Sequence, residues 1–259
     1  MWVFCCGMYR SASTLQFQIT ARLVKENQLG QQVGWIDANR FSEMRDAYAN
    51  VEGLKVIKVH RCTPSIASEF MHNQAIGIYT FRDIRDVYVS SMSQRMKSFE
   101  FIWAEEFIES CLEEFKRWTQ PPNVLVSKYE EIIADVPKEV KRIANHLGIP
   151  MEPHQYIAVA ADYSLQSQQR RIEKFKQQLL QRERDPNDHR ELVDYHDEEN
   201  LLHLNHIASG KTERWKEYLS AQEVELIEQR VKTWCAENDF SPALFLRDVL
   251  QLERNQLNH

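Results

Sequence analysis

The sequence lacks three features that would each point to a well-defined class of protein. Its five cysteines form no C-x-x-C pair, and no apolar run approaches the roughly 20 residues that a membrane-spanning helix needs. It also has no surplus of basic residues, because its formal charge is −6. These absences argue against a paired-cysteine zinc or redox site, a membrane span and a general nucleic-acid binder.

The amino-terminal stretch also lacks the parts of a secretion signal. Met1 leads at once into the apolar stretch from Trp2 to Cys6, with no basic region before it and no small-residue cleavage site after it. An odd number of scattered cysteines suits a reducing compartment. We therefore expect a cytoplasmic protein.

What the sequence does contain is an alternation of strand and helix patterns. Its 259 residues, 43% of them hydrophobic, suffice for one domain with its own core. Strand patterns occupy residues 2–6, 54–60, 75–81 and 123–128. Helix patterns occupy residues 14–26, 83–97, 103–118, 136–147 and 221–236. The alternation predicts an α/β fold with a central parallel sheet flanked by helices.

One long polar stretch stands apart from this pattern. Residues 166–199 are rich in Gln, Arg, Glu and Asp, which predicts an exposed helix followed by a loop. We expect a single domain over residues 1–259, in which about residues 166–206 form a lid or a surface excursion. The histidines of this stretch are irregularly spaced, so we expect no metal site: His189, His196, His203 and His206.

The first strand and helix are joined by a segment suited to an anion. Residues 7–14 (GMYRSAST) lie where backbone N–H groups and a helix dipole favour phosphate. Compared with the nucleotide-binding pattern G-x-x-x-x-G-K-[ST], the segment keeps Gly7 and Thr14 but has Ser13 in place of the lysine. Arg10 supplies a cation three residues earlier. An ordinary strand-to-helix turn with a Ser or Thr cap is the alternative interpretation.

The run from Tyr9 to Leu15 resembles the 5′-phosphosulfate loop of sulfotransferases that use 3′-phosphoadenosine 5′-phosphosulfate (PAPS), written [KR]-S-G-[ST]-T. Only Ala12 departs from that pattern, where the family has glycine. The resemblance implies a P-loop-like nucleotide-binding core, with PAPS as donor substrate and no metal. It also implies that the loop residues bind the donor: Arg10, Ser11, Ala12, Ser13, Thr14 and Leu15.

A second signature of the family, R-[DN]-P-x-D-V-x-x-S, follows in the expected order. Residues 82–90 match it except that Ile84 replaces proline. The resemblance implies that Arg82 and Ser90 bind the 3′-phosphate of the donor. A guanidinium supplies paired donors, and a serine two helical turns further on supplies a hydroxyl. The alternative is an ordinary helix start whose Asp83 and Asp86 complement the dipole.

The strand ending in Lys58, Val59 and His60 resembles the K-x-H strand end of cytosolic sulfotransferases, whose histidine is the catalytic base. The resemblance implies that His60 is the base, with Lys58 and Arg10 as catalytic cations. Lys58 and His60 would leave one face of a strand together. A strand-end histidine with a purely structural role is the alternative.

Two later segments extend the resemblance. Residues 126–132 (VSKYEEI) resemble the family's strand-Y-E-x-[LI] segment, which implies that Tyr129 lies against the adenine, although core packing fits it equally well. Residues 210–219 resemble the segment that closes over the 3′-phosphate, which implies donor contacts from Gly210 and Lys211. Helical spacing favours core packing for four aromatic residues: Trp103, Phe107, Phe115 and Trp118.

Taken together, these matches predict transfer of a sulfuryl group from PAPS to a hydroxyl of an acceptor. The acceptor can be a carbohydrate, a small molecule or a tyrosyl group, because acceptor pockets are built from variable loops. One alternative is a nucleotide-dependent small-molecule kinase, which would need the absent lysine and a magnesium-binding aspartate. Another is a nucleotide-binding module without catalysis, which would not depend on His60.

Overall fold

The centre of the fold is a sheet of five parallel strands in the order β2-β3-β1-β4-β5. The strands are β1 (Trp2–Gly7), β2 (Gly30–Trp35), β3 (Leu54–Lys58), β4 (Ala75–Phe81) and β5 (Val124–Lys128). The computed structural model describes residues 1–182, 189, 191, 195–205, 207 and 210–240. β1 lies in the middle of the sheet and is buried along its whole length.

The predicted α/β class with a central parallel sheet is confirmed. All four predicted strands are present, but the second ends at Lys58 and leaves His60 in the following loop. The prediction missed β2, whose sequence GQQVGW contains two glycines and two glutamines. Among the described strands, β2 pairs with β3 alone, at the edge of the sheet, and it is half-exposed, so it does not need the apolar run of a central strand.

Helices cover the sheet on both sides. Their bounds are α1 (Ser13–Glu26), α2 (Phe41–Ala47), α3 (Pro64–Met71), α4 (Ile84–Arg95), α5 (Phe99–Trp103), α6 (Phe107–Thr119), α7 (Tyr129–Ala134), α8 (Val136–His146), α9 (Pro153–Asp162), α10 (Leu165–Gln181), α11 (Trp215–Tyr218) and α12 (Ala221–Glu237). A 3-10 turn (Ala38–Arg40) precedes α2. None of the described helices has both the length and the apolar character that a membrane crossing requires.

The helix predicted over residues 103–118 is present as α6, but its first residue, Trp103, belongs to a separate short helix. α5 ends at Trp103 and α6 begins at Phe107, with Glu106 in the left-handed backbone region at φ 53°. A non-glycine residue in that region ends the regular hydrogen-bond pattern, and the helical spacing of the aromatic residues does not register such a break. Phe115 and Trp118 are buried in the core, as predicted.

Each face of the sheet has its own hydrophobic core. Phe4 and Tyr79 pack with Trp118 on one face, while Val3 packs with Phe17 of α1 on the other. Neighbouring residues of β1 therefore serve opposite cores, as the alternation of side chains along a strand requires. Fully burying a side chain of this size contributes about 1.5–3 kcal/mol, so the core that contains Phe17 fixes the position of α1 against β1.

The carboxyl ends of β1, β3 and β4 meet at one edge of the sheet. The chain leaves β1 towards β2 and β3 on one side, whereas β4 lies on the other side. In parallel sheets, ligands bind at such a switch in strand order. Gly7 is needed at this edge, because a Cβ there would lie 2.2 Å from Oγ1 of Thr80.

Candidate active site

A cavity of about 310 Å³, here called the loop cavity, opens beside the loop that follows β1. Every residue predicted to bind the donor lines it: Arg10, Ser11, Ala12, Ser13, Thr14, Leu15, Arg82, Ser90, Tyr129, Gly210 and Lys211. These residues come from five separate parts of the chain. The fold therefore brings the predicted set together in one place.

The loop itself takes an unusual backbone path. Arg10 and Ala12 both have positive φ angles, 64° and 71°. The hydroxyl of Ser11 donates to the carbonyl of Met8 at 2.6 Å and lies 2.8 Å from Oγ1 of Thr80. Ser11 lines the cavity, but its side chain fastens the loop to β4. Alternating left- and right-handed residues aim successive N–H groups into a concavity that suits an anion.

The amino terminus of α1 faces the same cavity. Ala12 occupies the N-cap position, and among the described residues no side chain caps the helix there. The first turn of α1 also carries no acidic residue. The N–H groups of the first turn and the positive end of the helix dipole therefore favour a negatively charged ligand beside Ser13 and Thr14.

Arg82 follows β4 and is held rigidly in the wall of the loop cavity. Its Nη2 donates to Oδ2 of Asp86 at 2.9 Å and to the carbonyl of Lys211 at 2.8 Å. Its guanidinium also lies 4.2 Å from the ring centre of Tyr129. Its buried Nε has no hydrogen-bond partner among the described residues. This donor is available to an anionic ligand, since a buried N–H without a partner is costly.

Asp86 joins Arg82 to the segment that follows Gly210. Besides the bond from Arg82, its two oxygens accept from the backbone N–H of Glu213 at 2.8 Å and of Trp215 at 3.0 Å. Arg85 lies 3.9 Å over the ring of Trp215 and pairs with Asp83. The segment is thus held against α4 from two sides, which places Gly210 and Lys211 at the cavity.

The two predicted anion subsites are in direct contact. Nε of Arg10 donates to Oγ of Ser90 at 3.0 Å, so the loop after β1 touches the helix that carries the second signature. Burial lowers the pKa of Arg10, and the nearby charge of Arg82 lowers it further. Two like-charged guanidinium groups held this close create a strongly anion-seeking environment.

Tyr129 and several apolar residues form the rest of the loop cavity. Tyr129 is nearly buried, and burial raises the pKa of its phenol. The sequence reasoning missed the apolar part of the lining, which comes from α7 to α10 and from residues 202 and 207: Ile133, Val136, Tyr163, Leu165, Leu202 and Ile207. No short motif marks these positions, because any apolar side chain serves there.

A second cavity of about 840 Å³, here called the histidine cavity, lies on the other side of Arg10. Lys58 and His60 line it, and Arg10 and Ser13 line both cavities. Nζ of Lys58 donates to Oγ1 of Thr14 at 2.5 Å. Burial lowers the pKa of Lys58 to about 8, and the charge of Arg10 acts in the same direction.

His60 does not extend the strand of Lys58 as predicted, yet both residues reach the same cavity. Its ring stacks on Tyr9 with centroids 5.2 Å apart. Burial lowers the pKa of His60 to about 4, and the charge of Lys58 contributes. Nδ1 is buried without a hydrogen-bond partner among the described residues. The imidazole is therefore neutral at pH 7 and can accept a proton.

Residues 195–205 contribute to both cavities. Leu202 lines the loop cavity, whereas His196, His203 and Asn205 line the histidine cavity. The carbonyl of Asn205 accepts from Nη2 of Arg10 at 3.2 Å. The predicted exposed helix within 166–206 is α10, while residues 183–188, 190, 192–194 and 206 lie outside the described residues. His196 and His203 thus face a cavity, which the sequence pattern does not predict.

The sequence reasoning also missed most of the aromatic lining of the histidine cavity. Phe107, assigned to the core, lines it and packs 5.9 Å from the ring of Tyr9. Trp35, at the end of the unpredicted strand β2, lines it as well. Phe107 packs against the core as predicted and also lines this cavity, because an amphipathic helix pattern does not distinguish a core from a cavity wall.

Comparison with known proteins places this architecture in a family. The sulfotransferase domain model matches residues 11–239. No curated protein sequence matches the chain. Two crystal structures of retinol dehydratase are each 17% identical in sequence to this chain, with a TM-score of 0.61. One contains androsterone and the inactive cofactor PAP, and the other contains retinol and PAP. The alignments cover 90% of this chain and, respectively, 80% and 81% of the two retinol dehydratase chains. Mouse sulfotransferase SULT7A1 complexed with PAP is 14% identical, with a TM-score of 0.60 and coverages of 90% and 84%.

Replacing Ala12 with glycine should not destabilise the protein, although glycine usually does. At φ 71° an alanine carries strain of roughly 1–2 kcal/mol, which exceeds the entropic cost of glycine at about 0.4–1 kcal/mol. We expect urea unfolding of A12G to show an unfolding free energy equal to the wild type or up to about 1 kcal/mol higher. The control is Ala21→Gly inside α1, which should lose at least about 1 kcal/mol, because it also removes a buried methyl group. If both variants lost the same unfolding free energy, Ala12 would not carry the proposed backbone strain.

Replacing Asp86 with asparagine should destabilise the folded protein strongly. The change leaves the buried guanidinium of Arg82 without its counter-charge, which typically costs about 3–5 kcal/mol. The control is Glu213→Gln on the same segment, where an exposed ion pair with Lys216 is removed and the loss should stay below about 1 kcal/mol. Denaturant unfolding of both variants tests this, and similar losses would show that Asp86 does not hold the site.

Proposed function

Because this chain belongs to the sulfotransferase family, we propose that it transfers the sulfuryl group of PAPS to a hydroxyl of an acceptor. The observation that carries the proposal is the loop cavity. It combines an uncapped helix terminus, a loop of positive φ angles, the buried Arg82 and the half-buried Arg10 in one concave site. This combination suits a ligand with several negative charges.

The cavity has two chemically different regions that match the two parts of the donor. The loop and Arg10 would hold the 5′-phosphosulfate, while Arg82 and Ser90 would hold the 3′-phosphate. The unpartnered Nε of Arg82 supports the second assignment, since it offers a donor to a phosphate oxygen. The apolar wall around Tyr129 suits the flat face of adenine.

The histidine cavity would receive the acceptor. His60 would take the proton of the attacking hydroxyl, and the new bond would form between that oxygen and the sulfur of the donor. The bond between sulfur and the bridging oxygen of the 5′-phosphate would break, leaving 3′-phosphoadenosine 5′-phosphate (PAP). Lys58 and Arg10 would stabilise charge on the sulfuryl and bridging oxygens, and Arg10 is positioned for this because it lines both cavities.

We also infer a reducing compartment and a lid. All five cysteines are buried as free thiols, which is usual in cytoplasmic proteins. Residues 195–205 contact both cavities and bond to Arg10, so their movement would open the site. This supports a lid role for the described part of residues 166–206.

The donor assignment is tested by thermal unfolding with PAP, with 5′-AMP and with ATP plus magnesium. A ligand that binds only the native state raises the apparent stability by about 2.7 kcal/mol at 100 times its Kd. We expect PAP to raise the melting temperature and 5′-AMP to have little effect, because 5′-AMP lacks the 3′-phosphate. The variant Arg82→Lys keeps the positive charge but loses the paired N–H donors of the guanidinium. It should show a smaller PAP-induced rise in melting temperature. Stabilisation by ATP alone would favour a kinase.

The base assignment is tested by replacing His60 with alanine. Loss of a general base lowers turnover by about 10²–10⁴-fold, whereas donor binding does not involve this side chain. In this variant we expect PAP to raise the melting temperature as it does in the wild type, whereas sulfuryl transfer from labelled PAPS should fall. Unchanged turnover would remove His60 from the mechanism.

The charge of Lys58 gives a prediction that depends on pH. With a pKa of about 8 in the free protein, about half of these side chains are neutral at pH 8. A bound anion favours the charged form, so PAP binding at pH 8 should take up about half a proton. Calorimetry in two buffers of different ionisation enthalpy measures this uptake. Lys58→Arg should abolish it, because a guanidinium stays protonated; uptake that persists would assign the proton elsewhere.

A further inference from the structure

The end of β2 presents an aromatic ring to the histidine cavity. The pairing of β2 with β3 shifts register between Gln32 and Gly34, and Gly34 has φ 106°. Such a bulge redirects the side chain that follows it, and glycine permits the backbone angle. Trp35 follows directly, lines the cavity and leaves 53% of its surface exposed.

Trp35 is one of three aromatic rings in the lining. Tyr9 stacks on His60, and Phe107 packs against Tyr9. The proposed base therefore sits beside flat apolar surfaces. A ligand whose rings have apolar faces would pack on these surfaces while its hydroxyls approach His60.

Most of the remaining lining is polar. It includes side chains from α4, α6 and the connection between α5 and α6, together with one residue of segment 195–205: Ser91, Gln94, Arg95, Glu105, Ser110 and Asn205. Arg95 and Glu105 form two parallel bonds of 2.5 and 2.7 Å. His196 and His203 add two imidazoles from the other side. The cavity thus offers hydrogen-bonding groups around its perimeter and aromatic faces between them.

This lining favours an acceptor that has both apolar ring faces and several hydroxyl groups. A steroid-like molecule filling the cavity would cover these polar groups without offering hydrogen bonds in return. Sites built to bond a substrate hydroxyl reject an analogue without it by about 10⁴–10⁵-fold, because their own polar groups are left unpaired. The volume of about 840 Å³ also exceeds that of the loop cavity, so the acceptor can extend beyond one ring.

We propose that the acceptor is an oligosaccharide that packs a sugar ring on Trp35 and presents one hydroxyl to His60. The inference rests on the proposed sulfuryl transfer and specifies its acceptor class. Gln94, Asn205 and the pair of Arg95 and Glu105 would bond the other hydroxyls. Tyrosyl peptides, phenols and steroids are the competing acceptors.

The test measures transfer of label from PAPS to two acceptor pools at equal concentration. One pool contains lactose, chitobiose and maltotriose, and the other contains androsterone, 1-naphthol and a tyrosine-containing peptide. We expect transfer to the saccharide pool to dominate. Greater transfer to the second pool overturns the inference. A protein that PAP stabilises but that does not label the saccharide pool also overturns it, while the donor proposal stands.

Two variants of one residue then test the packing surface. Trp35→Ala should lower kcat/KM for the best saccharide by about tenfold or more, and Trp35→Phe should retain most of it because the aromatic face is kept. The PAP-induced rise in melting temperature reports folding and donor binding and should be equal in both variants. Equal saccharide activity of Trp35→Ala and wild type would exclude Trp35 from the acceptor site.

Discussion

The buried carboxylate of Asp86 is the contact on which the geometry of the site depends. It pairs with Arg82 and accepts from two backbone N–H groups of the segment after Gly210, so one side chain joins the end of β4, helix α4 and the closing segment. Both oxygens of Asp86 find their donors only when all three parts are in place. A buried charge network of this kind is stable only as a unit. This explains why residues more than a hundred positions apart line one cavity.

The positive charges of Lys58 and Arg10, by contrast, lower the stability of the empty protein. Lys58 is buried and Arg10 half-buried beside it, and the pKa values of both are lowered. A lowered pKa of a basic group means that the folded state holds its charged form less well than the unfolded state does. Below about pH 8 the folded protein therefore carries the charge of Lys58 at a cost in stability. An anionic ligand would remove that cost, so the charges that weaken the empty site would strengthen the occupied one.

The sequence predicted the parts of the molecule that follow a local rule. The central strands have apolar runs, and the residues around Arg10 and Arg82 have fixed spacing, so both could be identified without the structure. The edge strand β2 and the wall residues Ile133 and Leu165 follow no such rule, because a polar edge and an apolar wall tolerate many sequences. The lowered pKa of His60 was equally hidden. It arises from burial and from Lys58, which only the folded chain provides.

The strand order explains why two cavities meet at Arg10. β1 lies between β3 and β4, so the loop after β1 has the end of β3 on one side and the end of β4 on the other. Lys58 and His60 follow from β3, while Arg82 follows from β4. Arg10 projects from the loop between them and lines both cavities. In the proposed reaction, the group that moves between donor and acceptor would therefore lie beside β1. In that proposal, the parallel sheet would fix the relative positions of donor, transferred group and acceptor before any ligand binds.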